Sequence, residues 1–256
     1  MKKRTLLKAI LALALAVCLG VVGWKQVEYA RGNAEYSKAA ELANLPPLET
    51  VRPEGEDPGQ TESNADLLAS MDLESLQAAN PDVKGWISIP GTPVSYPVLQ
   101  AADNEYYLYR TWQGERNSMG SVFLDSTSSP DFSDFSTLVY GHRMRNGTMF
   151  GSLREYRSQD YWQAHPSVYI VCEEGVARYD IYAAFEAEVR SQVYYLNFPE
   201  EEDRAAFVSY GLEHSQLDTG LQPGPEDRFL TLSTCTGNGY ARRWVVQAVL
   251  ADWSDR

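Results

Sequence analysis

The chain has 256 residues, 44% of them hydrophobic, and a formal net charge of -13. That length allows one sizeable core plus an attachment segment, and the acidity argues against a nucleic-acid partner, which favours a basic face. The three cysteines (Cys18, Cys172, Cys235) and three histidines (His142, His165, His214) are scattered, which excludes a zinc-type ligand cluster and a disulfide framework.

The chain opens with a basic tip, Lys2, Lys3 and Arg4, followed by Lys8 and an apolar run over residues 9–24. The run is short for a membrane span, which needs about 20 residues. Lys8 can snorkel and extend it back to Leu6. The basic end predicts a single pass through the plasma membrane, with the N-terminus cytoplasmic and the rest outside. A cleaved signal peptide is the competing reading, but no small-x-small site follows the run. A lipoprotein site at Cys18 is disfavoured because Val17 stands where a small residue is wanted.

Residues 26–45 are rich in Ala, Glu and Lys and read as a polar helix, stopped by Pro46 and Pro47. Residues 48–64 are rich in Pro, Gly and Glu and read as a flexible acidic stalk that holds the rest away from the membrane. The expected organisation is a tip and anchor over 1–25, a helix and stalk over 26–64, and one catalytic domain with N-terminal helices over 65–256.

Residues 65–79 read as one helix or two short ones, with Asp72 as N-cap before LESLQAA. Asn80-Pro81 ends that segment. From Val83 the pattern changes to short β-rich runs: GWISIP, VSYPVLQ, GSVFLD, STLVYGH and VYIVCEEGVARYDIYAAF. This spacing indicates an antiparallel barrel or sandwich. Glu173-Glu174-Gly175 turns a hairpin in which Cys172 is a core residue. Residues 149–156 and 160–165 read as short helices. Residues 199–217 read as a longer helix with acidic residues in its first turn.

The chemistry gathers at the end of the chain, in FLTLSTC and RRWVVQAVL. Side chains alternate between the faces of a strand. Leu230 and Leu232 take one face, and Thr231, Ser233 and Cys235 the other. On the next strand Trp244, Val246, Ala248 and Leu250 are apolar and Arg243 is opposite them. Cys235 and Arg243 therefore share the side away from the core, and a thiol beside a guanidinium favours thiolate. His142 follows the STLVY strand, and strand ends commonly carry catalytic groups. Cys, His and Arg supply a nucleophile, a proton carrier and a cation for an oxyanion. Ser233 and Thr234 adjoin the nucleophile and Tyr140 adjoins His142, so these three are candidates for substrate contact. Each equally reads as an ordinary strand, turn or packing residue. His165 and His214 read as surface histidines, and Arg242 as solvated or paired with an acid.

LTLSTC matches the TLxTC signature of sortases, the Gram-positive surface transpeptidases. VYGHRM resembles the segment carrying the sortase histidine, and RWVV the segment carrying the sortase arginine. NPDVKGWISIPGTPVSYPVLQ, NEYYLYRTW and GSVFLD resemble class B sortases in particular, as does a helix just before the cysteine strand. The resemblance spans residues 73–253. It implies a mainly β fold, a closed antiparallel sortase-type β-barrel with peripheral helices, with His142, Cys235 and Arg243 catalytic and no cofactor. It also implies cleavage of a C-terminal sorting signal of surface proteins through a thioacyl intermediate on Cys235. The acceptor would be an amine of a peptidoglycan precursor or cross-bridge. The alternatives are a class A-like housekeeping or pilus-type sortase, another cysteine hydrolase, and a non-catalytic membrane-tethered wall-binding β-domain. The glycine-flanked nucleophile motif of chymotrypsin-like proteases is missing from STCTG.

Overall fold

Short β-rich runs separated by Gly, Pro and Asn turns form eight strands that close on themselves. The computed structural model describes residues 2–48, 64–236 and 241–256. The strands are β1 (Val83–Ser88), β2 (Ser95–Leu99), β3 (Val122–Leu124), β4 (Ser136–Tyr140), β5 (Ser167–Val171), β6 (Gly175–Glu188), β7 (Phe229–Cys235) and β8 (Arg242–Asp255). Their order around the barrel is β1-β2-β3-β4-β7-β8-β6-β5, and β1 pairs with β5 to complete the ring. Closure gives every strand a hydrogen-bonded neighbour on each side over at least part of its length.

The expected closed barrel is present, but its pairing is mixed rather than wholly antiparallel. β2 pairs with β3 in parallel, and so does β4 with β7. Side-chain alternation reports the faces of a strand and not its direction. A parallel pair needs a long crossover. The first runs through a short 3-10 helix, Tyr106–Tyr109. The second runs through β5, β6 and helix α5 (Glu201–His214).

Trp86, Leu230, Leu232, Trp244, Val246 and Ala248 belong to the main buried core. The opposite face of β7 and β8 is also buried. Phe229 and Val245 pack with Tyr182, Phe185, Phe207 and Val208 in a second cluster, and the last two come from α5 (Glu201–His214). Phe135, Phe198, Phe207 and Phe229 meet edge to face, with centroids 4.9–5.6 Å apart. Each such pair contributes about 0.5–1.5 kcal/mol beyond its buried area. The helix expected over 199–217 thus covers the outside of the strand that carries Cys235, leaving Cys235 itself half-buried at the end of β7.

The segment before β1 forms two short helices, α2 (Asn64–Ala69) and α3 (Leu73–Ala79). Asp72 caps α3 and accepts a 2.9 Å hydrogen bond from the Ser75 amide. After β4 come a 3-10 helix, Gly151–Arg157, and α4 (Gln159–Ala164).

Helix α1 runs without a break over Lys2–Leu42. It contains a stretch long and apolar enough to cross a membrane, with its large apolar side chains up to Trp24 and Val27 exposed. Its second half, the polar helix expected over 26–45, is docked on the barrel. The Glu28 carboxylate accepts from the Ser118 amide at 2.9 Å, and the Glu28 carbonyl accepts from Asn117 Nδ2 at 3.0 Å. Trp112 Nε1 donates to the Glu35 carbonyl at 3.1 Å. Tyr36, Ala39 and Ala43 are buried in the main core, and a Cβ on Gly32 would lie 2.6 Å from Met119 Sδ. Gly32, Tyr36, Ala39 and Ala43 recur at helical spacing and make a narrow docking stripe. Leu45, Leu48 and Ala65 also pack on this core, so both flanks of the expected stalk sit on the same body. Of the stalk expected over 48–64, residues 49–63 lie outside the described residues.

Candidate active site

The parallel pairing of β4 and β7 builds the site. Its register sets Tyr140 opposite Ser233, so both strands finish at the same end of the barrel. His142 and Cys235 each follow two residues after that pair. An antiparallel pairing would have separated them by the length of a five-residue strand, about 17 Å. β8 then returns antiparallel with Arg243 directly opposite Cys235. Tyr140, His142, Ser233, Thr234, Cys235 and Arg243 all line one cleft.

His142 Nε2 lies 2.5 Å from the Leu108 carbonyl. A carbonyl only accepts, so Nε2 carries the hydrogen and Nδ1 is left for proton transfer. Burial pushes the imidazole below its ordinary pKa of 6.5, and the Leu108 carbonyl opposes that shift. The ring is therefore neutral at neutral pH, with a lone pair on Nδ1. The Tyr109 ring lies 5.7 Å from it.

Cys235 is a free, half-buried thiol. Arg243 is also half-buried, and its Nη1 donates to the Arg242 carbonyl at 3.1 Å. Arg242 is exposed and faces the other way, 3.8 Å from Glu186 and 3.9 Å from Glu188. The two adjacent arginines thus separate as strand alternation requires.

The three candidates for substrate contact differ. Thr234 is buried, and its hydroxyl donates to the Gly141 carbonyl at 2.7 Å. The Ser233 hydroxyl lies 3.0 Å from the Tyr194 hydroxyl. Tyr140 donates to Asp125 Oδ2 at 3.1 Å. Burial, then the Asp125 carboxylate, push the Tyr140 phenol well above its ordinary pKa. Burial pushes Tyr194 up to about 12, against the Ser233 hydroxyl and the Arg243 charge. Both phenols stay neutral and can donate.

Several groups at the cleft were not singled out from the sequence. Asn104 lines it and donates to Asp125 Oδ2 at 2.8 Å, while Thr127 donates to Asp125 Oδ1 from both its amide and its hydroxyl. This network braces the wall that holds Tyr140. Leu108 supplies the acceptor for His142, and Tyr194 comes from a 3-10 helix, Gln192–Tyr194. The segment NEYYLYRTW, which holds Leu108, was visible as a motif but not as a partner of His142. Nothing in the spacing ties Tyr194 to Ser233.

The remaining candidates lie elsewhere. His165 Nδ1 bonds the Pro90 carbonyl, and His214 stacks on Tyr210 with centroids 4.0 Å apart. Cys172 is buried, and burial pushes its thiol up to about 11. Among the described residues, no group of three or more His, Cys, Asp or Glu side chains is arranged to hold a metal ion.

Residues 87–251 match the Sortase domain. The chain belongs to the sortase family. Sortase B of Listeria monocytogenes is 35% identical over 183 residues, covering 70% of this sortase and 74% of that protein. The structure resembles sortase B from Bacillus anthracis with a TM-score of 0.72 at 26% identity, covering 90% of this sortase and 99% of that chain. It resembles a Staphylococcus aureus sortase B–substrate complex with a TM-score of 0.67 at 28% identity, covering 71% and 85%. The sortase is a cysteine transpeptidase of the sortase B type, as the LTLSTC, VYGHRM and RWVV segments implied for the family and NPDVKGWISIPGTPVSYPVLQ, NEYYLYRTW and GSVFLD for class B.

Proposed function

We propose that this sortase cleaves a C-terminal sorting signal of surface proteins at Cys235 and passes the acyl group to a cell-wall amine. The observation that carries this reading is the direct cross-strand pairing of Cys235 with Arg243 in the cleft that His142 lines. Neutral His142 takes the Cys235 proton on Nδ1. The thiolate attacks the carbonyl carbon of the scissile peptide. Arg243 and backbone N–H groups near Cys235 stabilise the resulting oxyanion. The C–N bond breaks, the leaving amine takes the proton from His142, and a thioester remains. An acceptor amine from a peptidoglycan precursor or cross-bridge attacks the thioester and loses its proton to His142. The C–S bond breaks and the thiolate returns. Ser233 and Tyr140 offer hydroxyls to the substrate backbone, and the apolar part of α1 holds the enzyme in the plasma membrane with its N-terminus cytoplasmic.

A peptide library of sorting-type sequences tests this, with and without an added amine. Mass spectrometry of the quenched reaction should find the acyl group on the tryptic peptide that contains Cys235. Cleavage without that adduct, or an adduct on Cys172, rejects the reading.

A further inference from the structure

The catalytic histidine is held from one side by a carbonyl, and the loop packed against that carbonyl is held by the N-terminal helix. Leu108 accepts from His142 Nε2. Leu108 is pressed against Gly120: a Cβ on Gly120 would fall 2.9 Å from His142 Cδ2 and closer still to the Leu108 oxygen. Gly120 adopts φ +60°, a conformation that favours glycine. The Gly120–Ser121 segment is tied back to the Leu108 segment, because the Ser121 amide donates to the Tyr107 carbonyl at 3.0 Å and its hydroxyl to the Arg110 carbonyl at 2.8 Å. On the far side, buried Tyr36 of α1 donates its hydroxyl to the Gly120 carbonyl at 2.6 Å and lies 3.1 Å from Ser121 Oγ. One turn and two turns earlier, Gly32 and Glu28 seat the same loop through Met119, Asn117 and Ser118.

We infer that the docked half of α1 is a positioning element for catalysis, with Tyr36 the positioning residue that fixes His142 through Gly120 and Leu108. This rests on His142 being the proton carrier. The contact does no chemistry. It holds the Leu108 carbonyl where His142 keeps its hydrogen on Nε2, which leaves Nδ1 free for the thiol and the amines. A shift of the carbonyl releases that tautomer, and small displacements at a reacting group are costly in rate.

The test uses the full chain in detergent micelles. Tyr36→Phe removes one hydroxyl and keeps the ring. Glu28→Gln weakens the loop contact from a second point. Lys38→Ala, on the exposed side of the same helix, is the control. The expected result for Tyr36→Phe is a fall in kcat of about tenfold with KM changed less than about twofold, a smaller fall for Glu28→Gln, and none for Lys38→Ala. Nitrogen NMR of the imidazoles should show His142 as the Nε2–H tautomer in the parent and as a tautomer mixture in Tyr36→Phe. A folded Tyr36→Phe with the parent's kcat and tautomer overturns the inference. So does a rate loss that follows only the loss of Tm while the tautomer stays fixed. If the parent itself cleaves no peptide, the proposed reaction fails, and the tautomer comparison still decides the positioning.

Discussion

The Thr234 hydroxyl and the Gly141 carbonyl, 2.7 Å apart, join the residue before Cys235 to the residue before His142. The Gly141 amide adds a second link by donating to the Ser233 carbonyl at 3.2 Å. Thr234→Val keeps the shape and removes the first link. It should lower stability by about 1–2 kcal/mol, since a buried carbonyl loses its partner. It should also lower kcat by about tenfold, because the proposed nucleophile and proton carrier are no longer tied together. Thermal unfolding and steady-state cleavage measure the two effects. Unchanged turnover would show that the strands alone hold the site.

Arg243 and Arg242 should separate sharply. Arg243→Ala should cost about 10²–10³ in rate, the usual loss for an oxyanion donor. Arg242→Ala should change the rate by less than about tenfold, since it only releases exposed contacts to Glu186 and Glu188. Arg243→Lys should recover little, because a flexible ammonium does not replace a planar fork. Equal losses at both arginines would exclude the observed register as the basis of catalysis.

Thiol labelling separates the cysteines. Burial pushes Cys172 up to about 11, so it carries little thiolate at neutral pH and is shielded as well. Alkylation of the folded enzyme should abolish cleavage, mark Cys235 and spare Cys172. Cys172→Ala should keep activity and lose about 1 kcal/mol of stability. Activity lost through Cys172 alone would contradict the assignment of the nucleophile.

Stability should carry a signature of His142. Its folded pKa lies below the ordinary 6.5 because of burial. The unfolded chain therefore binds more protons in the window just below 6.5, and stability falls as pH drops through it. His142→Gln should flatten this part of the Tm–pH curve. Parallel curves for parent and variant would mean the imidazole is not desolvated.

The topology is tested on intact protoplasts. On the proposed orientation, the basic tip before the apolar stretch of α1 stays cytoplasmic and the barrel lies outside. Added protease should degrade or release the barrel domain while leaving residues 1–8 with the cell. Full protection of the domain would reverse the orientation.

The strands and the order of the reactive residues were legible because their signals are local. LTLSTC and RWVV alternate as strands do, and that alternation alone predicted that Cys235 and Arg243 share a face. The direction of β4 relative to β7 left no such mark, yet it decides whether His142 reaches the cysteine. Asp125 and Tyr194 were missed because each acts through a partner distant in sequence, Tyr140 and Ser233. The docking of α1 was missed for another reason. Its contact stripe uses Gly32, Ala39 and Ala43, residues too small to stand out against a polar helix, and Tyr29 and Tyr36 are the large side chains that mark the face.

The unbroken run of α1 from its apolar half to Tyr36 fixes a height. Helical rise is about 1.5 Å per residue, which puts Tyr36 about 18 Å past Trp24. In a bilayer that takes up the apolar half, the cleft rides on a post rather than on a cord whose reach grows with its length. Lengthening residues 49–63 would not raise it, since Leu48 and Ala65 both rest on the barrel's own core. On the proposed membrane attachment, cargo held at that level should lie within reach of Cys235, and cargo held well above it should lie out of range.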